Sequence, residues 1–391
     1  MSPDDLPPDD PLLPVLPILA PGPEYETAAR QFQGIPGIEI TPGGRLWATW
    51  YSGGVNEGPE NYVVLVTSAD GGQTWTEPVL VIDPPGPHIR AYDPALWHDP
   101  LGRLWLFWSQ CLSPKDGRIS DGVNGVWGMC TAAPESAAPT WSAPLRLAHG
   151  VMMNKPFVLS TGEWGYPTAV WNNLIVPSPA AVRAHCFSNL TVSTDQGRTY
   201  ERRGGADVPR RCFDEHHIVE LRDGRLWCLV RTNYGIGQSF SSDRGRTWTP
   251  GEDSGLGGPN TRFFIRRLAS GRLLLVNHWF TDEEKAARLR QPDVWLPRRR
   301  LAAWLSDDEG SSWQGGLLLD ERSGVSYPDG VQDREGTIWI VYDHERYKAG
   351  EILFARFREE DIEAGRCVST GATLRGLINR TGGVRSASSS T

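Results

Sequence analysis

No Cys-x-x-Cys pair occurs in the 391 residues, and the six cysteines (Cys111, Cys130, Cys186, Cys212, Cys228 and Cys367) are scattered. Reduced thiols are expected, and no set of His, Cys and carboxylate residues has metal-ligand spacing, so neither a metal nor another cofactor is predicted. Positive charge is in deficit. Lys and Arg number 39 against 47 Asp and Glu, a net charge of −8. That balance excludes a broad nucleic-acid surface but leaves room for a local cationic pocket. Long apolar runs are missing too. The N-terminal "MSPDDLPPDDPLLPVLPILAPGPEYE" is broken by prolines and has no basic leader. It predicts neither a signal peptide nor a membrane span, so a cytoplasmic location is expected and residues 1–30 read as an extended arm. Helix-favouring blocks are scarce outside Asp282–Arg290, and the polar end, 366–391, reads as a frayed tail.

What is abundant is Trp, at 17, together with 43 Gly and 31 Pro. They are organised by a repeat. A turn glycine followed by an apolar, often Trp-bearing run recurs in "GGRLWATW", "LGRLWLFW", "TGEWGYPTAVW", "DGRLWCLV", "SGRLLLVN" and "EGTIWIVY". The glycines at 44, 102, 162, 224, 271 and 336 are 58, 60, 62, 47 and 65 residues apart. Each marks a hairpin. A second repeat runs out of phase: "SADGGQTW" from Ser68, "STDQGRTY" from Ser193, "SSDRGRTW" from Ser241 and "SDDEGSSW" from Ser306. In such a turn Asp caps backbone amides, Gly takes positive φ and the aromatic packs beneath. One hairpin and one such turn per unit make four strands. Six units predict an all-β, six-bladed propeller over residues 31–365, with two packed β-sandwiches as the competing fold. The chain ends are expected to meet in one blade.

The Ser-x-Asp-x-Gly-x-Thr-Trp turn resembles the Asp box of the sialidase superfamily, where it belongs to the scaffold. The stretch "DEHHIVELRDGRLWCLVR" is similar to the superfamily segment in which a Glu polarises a Tyr nucleophile and a following Arg binds the substrate carboxylate. The resemblance places Glu215 and Arg231 in those roles. It likewise places Tyr327 of "GVSYPDG" as nucleophile and offers Arg298, Arg299 or Arg300 as a further cation. Two departures stand out. The superfamily's Arg-Ile-Pro is "QGIPG" here, so Gly34 predicts a gap where the first of three carboxylate-binding arginines stands. The expected acid/base Asp is absent from "GGVNEGPENYVVLV", which offers Glu57 and Glu60. The resemblance implies a divergent, retaining exo-glycoside hydrolase for an acidic or related sugar.

Read without the resemblance, polar residues near the starts of the innermost strands converge on one mouth of the ring. They include Arg90 and Asp93, Lys155, Glu215, His216, His217, Arg262, Tyr327 and Asp329. Tyr327, Glu215 and either Glu57 or Asp93 are the catalytic candidates. Arg231, Arg262, Arg298, Arg299, Arg90, Lys155, His216, His217 and Asp329 are the binding candidates. The partner implied is a small glycoside or oligosaccharide, neither nucleic acid nor membrane. Each residue also has a structural reading: Glu215 paired with Arg231, Tyr327 packed, Asp93 forming a turn before Pro94. Two other functions compete. One is a lyase or hydrolase for uronate glycans using His216 or His217 with Tyr327. The other is a sugar-binding propeller without catalysis.

Overall fold

All six hairpin glycines, from Gly44 to Gly336, have φ between +83° and +90°. This is the left-handed region that a side chain at the turn would strain. The turns share one bonding pattern: Gly44 N donates to Thr41 O at 2.9 Å, and Gly336 N to Asp333 O at 3.1 Å. The computed structural model describes residues 11–86, 88–113, 122–171, 178–290 and 296–382. Among them the strands form six antiparallel sheets of four. Blade 1 runs from Gln33 to Ile82, blade 2 from Ile89 to His149 and blade 3 from Phe157 to Ala206. Blade 4 runs from His217 to Asp253, blade 5 from Phe264 to Ser323 and blade 6 from Val325 to Arg380. The six-bladed propeller is therefore the fold.

Strands in this ring are covered on both faces, which explains why the sequence shows apolar runs more than alternation. Leu46–Ser52 and Ile338–His344 are buried at every position. The apolar core lies between blades. Trp47, Leu65, Leu96 and Trp108 belong to one cluster across blades 1 and 2. Trp97, Phe107, Trp164 and Tyr166 join blades 2 and 3. Blades 6 and 1 are joined in the same way by Val331, Trp339 and Phe354 against Ile38, Ala48 and Trp50. The Ser-x-Asp-x-Gly turns follow the third strand of blades 1, 3, 4 and 5, at the end of the ring that carries the hairpin glycines. Asp70 accepts from Ser68 Oγ at 2.8 Å, Thr74 N at 3.0 Å and Thr74 Oγ1 at 2.6 Å. Those bonds, first the Thr74 hydroxyl, hold its carboxyl down to about 2.

Two expectations about the ends are corrected. Residues 366–391 are not simply a tail, because Thr373–Arg380 pairs with Glu351–Phe357 as the outermost strand of blade 6. Its burial does not alternate cleanly, with Leu377 exposed beside buried Ile378, and that hid an edge strand. Nor do the ends share a blade. The arm lies along the ring instead: Ile18 bridges Val81 at the edge of blade 1. Arg30, 1% exposed, donates to Tyr25 O at 2.7 Å and to Asn379 Oδ1 at 2.8 Å, which clasps the arm to blade 6.

The central shaft is filled by charge. Arg262 donates to Asn154 Oδ1 at 2.7 Å, Pro36 O at 3.2 Å and Asp329 Oδ1 at 3.2 Å. Lys155 Nζ reaches Leu96 O at 2.8 Å, Asp329 at 3.1 Å and Ile38 O. Cations, carboxylates and carbonyls from blades 1, 2, 3, 5 and 6 thus satisfy one another out of water, as buried charge requires.

Candidate active site

Three innermost strands begin with the same irregularity. Pairing slips between Gly34 and Gly37, between Tyr92 and Ala95, and between Ser326 and Asp329. Each bulge contains a residue before proline with positive φ: Ile35 at 57°, Asp93 at 49° and Tyr327 at 56°. Blade 4 reaches a similar geometry without proline, with Phe213, Asp214 and Glu215 at 57°, 55° and 42°. A bulge re-aims its side chain, and such backbone costs about 1–3 kcal/mol per residue unless its surroundings hold it. Here they do. Asp343 accepts from Ile35 N at 2.9 Å and Ser326 Oγ at 2.6 Å, and Asp329 accepts from Ile38 N at 3.0 Å.

The side chains of Ile35, Asp93, Phe213, Glu215 and Tyr327 line one pocket of about 190 Å³, together with Tyr51, Glu57, Arg90, Arg231, Arg298 and Arg346. Tyr327 Oη donates to Glu215 Oε1 at 3.3 Å. Arg231 Nη1 donates to both, at 3.1 Å to the phenol and more tightly to the carboxylate. Arg298 and Arg346 lie against the Tyr327 ring, 5.1 and 4.8 Å from its centre. Arg346 Nη1 donates to Glu57 Oε1 at 2.9 Å, and Tyr51 Oη donates to the same oxygen at 2.8 Å. Trp171 and Phe213, 5.2 Å apart edge to face, form an apolar wall.

The titratable groups divide by environment. Burial pushes the Tyr327 hydroxyl up and Glu215 adds to it, so the resting group is a neutral phenol. Burial also pushes Asp93 up to about 8, with Arg90 opposing and Glu215 and Glu57 reinforcing. Burial acts the same way on Glu57, but Arg346 and then Arg90 outweigh it and hold that carboxyl below its ordinary range. The pocket therefore has one carboxyl that keeps its proton near neutrality and one fixed as carboxylate.

Of the sequence candidates, Tyr327, Glu215, Glu57, Asp93, Arg231, Arg298 and Arg90 line the pocket. Arg262, Lys155 and Asp329 do not; they are the shaft network beneath it. His216 and His217 bond the carbonyls of Asn189 and Phe263 at 2.8 and 2.9 Å. Burial holds both imidazoles down, His216 to about 4, so they are neutral structural donors. Arg299 pairs with Glu284 of the helix Asp282–Arg290, outside the pocket, as does Arg300. Glu60 is not among the lining residues. Arg346 was missed, because "DHERYKAG" gives no signal beyond a loop after a strand. Gly34 leaves no gap: a Cβ built there would lie 2.1 Å from Arg346 Cδ. Among the described residues no group of three or more His, Cys, Asp or Glu is placed to hold a metal ion.

The six-bladed ring thus carries a Tyr–Glu–Arg cluster at one mouth. The sequence matches the BNR repeat-like domain over residues 44–340, and the chain belongs to that family. No curated protein matches it. Among solved structures, a Hadza microbial sialidase aligns with a TM-score of 0.64 at 18% identity, over 86% of this chain and 68% of the other. A leech intramolecular trans-sialidase complexed with 2,7-anhydro-Neu5Ac gives 0.64 at 14%, over 87% and 70%. The intramolecular trans-sialidase of Ruminococcus gnavus gives 0.61 at 14%, over 87% and 97%. At these identities the likeness is one of fold.

Proposed function

We propose that this chain is a retaining glycoside hydrolase acting on a small glycoside or oligosaccharide whose reacting sugar carries an anionic group. The observation that carries the reading is the contact of Tyr327 with Glu215 and Arg231 inside the pocket. In the first displacement Glu215 takes the phenol proton as Tyr327 Oη bonds to the anomeric carbon. The bond to the leaving oxygen breaks, and Asp93 gives that oxygen its proton. In the second, Asp93 as carboxylate takes a proton from water. The water oxygen bonds to the anomeric carbon, and the departing phenolate recovers its proton from Glu215. A neutral phenol approaches an anionic sugar with less repulsion than a carboxylate nucleophile, a departure from the usual two-carboxylate scheme.

Four guanidiniums, of Arg90, Arg231, Arg298 and Arg346, face three carboxyl groups, one of which keeps its proton to about pH 8. That balance favours an anion. The histidine-based lyase reading loses support, since both imidazoles are spent on backbone carbonyls. The test is a screen of aryl glycosides of sialic, uronic and neutral sugars, followed by mass spectrometry of a stalled reaction. A sugar attached at Tyr327 supports the proposal. An unsaturated product absorbing in the ultraviolet points to a lyase, and binding without turnover across the panel points to a sugar-binding propeller.

A further inference from the structure

We propose that the cleft between blades 4 and 5 is a second sugar site, separate from the pocket at the mouth, and that it takes a neutral pyranose. The proposal concerns binding alone and stands whether or not the chain hydrolyses glycosides.

The cleft encloses about 490 Å³, within the range of small-molecule sites, against about 190 Å³ at the mouth. The two have no lining residue in common among the described residues. The segment 255–260 runs between them. Gly255, Leu256, Gly257 and Gly258 line the cleft, whereas Asn260 is held by arginines of the mouth, accepting from Arg231 Nε at 2.5 Å and from Arg298 Nη2 at 3.1 Å. Glycine at 258 permits that course: its φ is 106°, and a Cβ there would lie 2.9 Å from Asn277 Oδ1.

Aromatic rings supply much of the lining: Tyr234, Trp304, Trp313 and Trp279, the last 50% exposed. The charged members, Asp253 and Lys285, are of opposite sign, and Asp253 already accepts from Gly255 N at 2.9 Å. This is the reverse of the mouth, where guanidiniums outnumber carboxylates, and it selects an uncharged ligand. Two further lining residues carry an unmet polar atom. His278, 3% exposed, donates from Nδ1 to Arg299 O at 2.9 Å, and burial holds the imidazole down to about 4, so Nε2 keeps a bare lone pair. Neither that nitrogen nor the buried indole N–H of Trp313 has a hydrogen-bond partner among the described residues. One is an acceptor and the other a donor, and a buried group of either kind is costly to leave unpaired. A sugar answers both. Each hydroxyl gives one bond and accepts others, while the C–H face of a pyranose lies against the electron-rich face of an indole. An aromatic hydrocarbon would cover the rings and leave both nitrogens unpaired.

The experiment is saturation-transfer NMR and calorimetric titration of the intact chain with the methyl glycosides of D-glucose, D-galactose and N-acetyl-D-glucosamine, beside toluene as the hydrocarbon control. At least one glycoside should bind the wild type with a Kd of about 1 mM, as expected of a single sugar ring. Trp279→Ala removes a half-exposed ring that is absent from the lining of the mouth, and it should weaken that glycoside about 10-fold. Trp313→Phe keeps an aromatic ring and loses the N–H. It should weaken binding about 3- to 10-fold, the size of one hydrogen bond, and serves if Trp279→Ala does not fold. A wild type that binds none of the three glycosides overturns the proposal, and so does one that binds toluene alone. A folded Trp279→Ala or Trp313→Phe of unchanged affinity overturns it too, because the sugar would then be seated elsewhere. None of these titrations needs turnover, so a failure of the hydrolase reading leaves them as they stand.

Discussion

Replacing Tyr327 by Phe and Glu215 by Gln, singly and together, separates catalysis from support because the two changes disturb different bonds. Tyr327→Phe removes one hydroxyl that donates at 3.3 Å to Glu215 and accepts at 3.1 Å from Arg231. Those two groups remain paired with each other, so no buried charge is stranded and the stability loss should be at most about 1 kcal/mol. Glu215→Gln leaves the Arg231 guanidinium, 6% exposed, without its counter-charge. Breaking a buried pair costs about 3–5 kcal/mol, and the amide oxygen still accepts, so about 3 kcal/mol is expected. In turnover, Tyr327→Phe loses the proposed nucleophile and should fall at least about 10³-fold. Glu215→Gln loses the proposed base and should fall about 10²- to 10⁴-fold. The double variant should turn over no more slowly than Tyr327→Phe, because a base with no phenol to deprotonate has nothing to contribute. The assay pairs aryl glycoside hydrolysis with thermal unfolding of all four proteins. Losses that multiply in the double variant, or a Tyr327→Phe protein of near-normal rate, would refute the unit.

Three further outcomes are expected. Activity should fall as pH rises through about 8, where Asp93 loses its proton, and Asp93→Asn should remove both the activity and that limb of the profile. Because the folded pKa of Asp93 is raised, its contribution to stability is complete below about 4, the unfolded value, and is lost as pH rises toward 8; unfolding of Asp93→Asn across that window should show a flatter dependence. Asp243→Ala removes the acceptor for Arg246 N, Thr247 N and Thr247 Oγ1 at the end of the ring away from the pocket, so Tm should drop while turnover holds. Truncation before Thr373 should lower Tm and promote aggregation, read by calorimetry and light scattering. It removes the outermost strand of blade 6 and the Asn379 partner of Arg30.

The ring was legible because its turns repeat: one glycine conformation and one Asp-capped turn recur with little change of chemistry. The pocket was legible where a strand start carries its own mark. Proline after Asp93 and after Tyr327 coincides with the bulges that turn those side chains inward. Depth along the shaft carries no such mark. Lys155 also precedes a proline, yet its long side chain runs down to Leu96 O and Asp329, and Arg262 is spent on Asp329 and Asn154. Arg346 was out of reach for another reason. Its significance lies in a contact with a residue 312 positions earlier in the chain (346 − 34), and the only trace at that end is an ordinary glycine.

The contiguity of each blade has a consequence for how this chain can be rewired. Among the described residues no strand is donated across the seam between blades 6 and 1, which is an apolar junction like the others, and the clasp of Arg30 on Asn379 brings the point where the chain enters blade 1 within bonding distance of the last strand of blade 6. The order of blades along the chain is then not fixed by the ring. A short linker from the end of blade 6 to the segment just before Arg30, the rest of the arm being left off, with new ends opened between blades 4 and 5, would give a circular permutant with the same six seams. Its pocket would still draw Glu215 from one side of the opening and Tyr327 from the other.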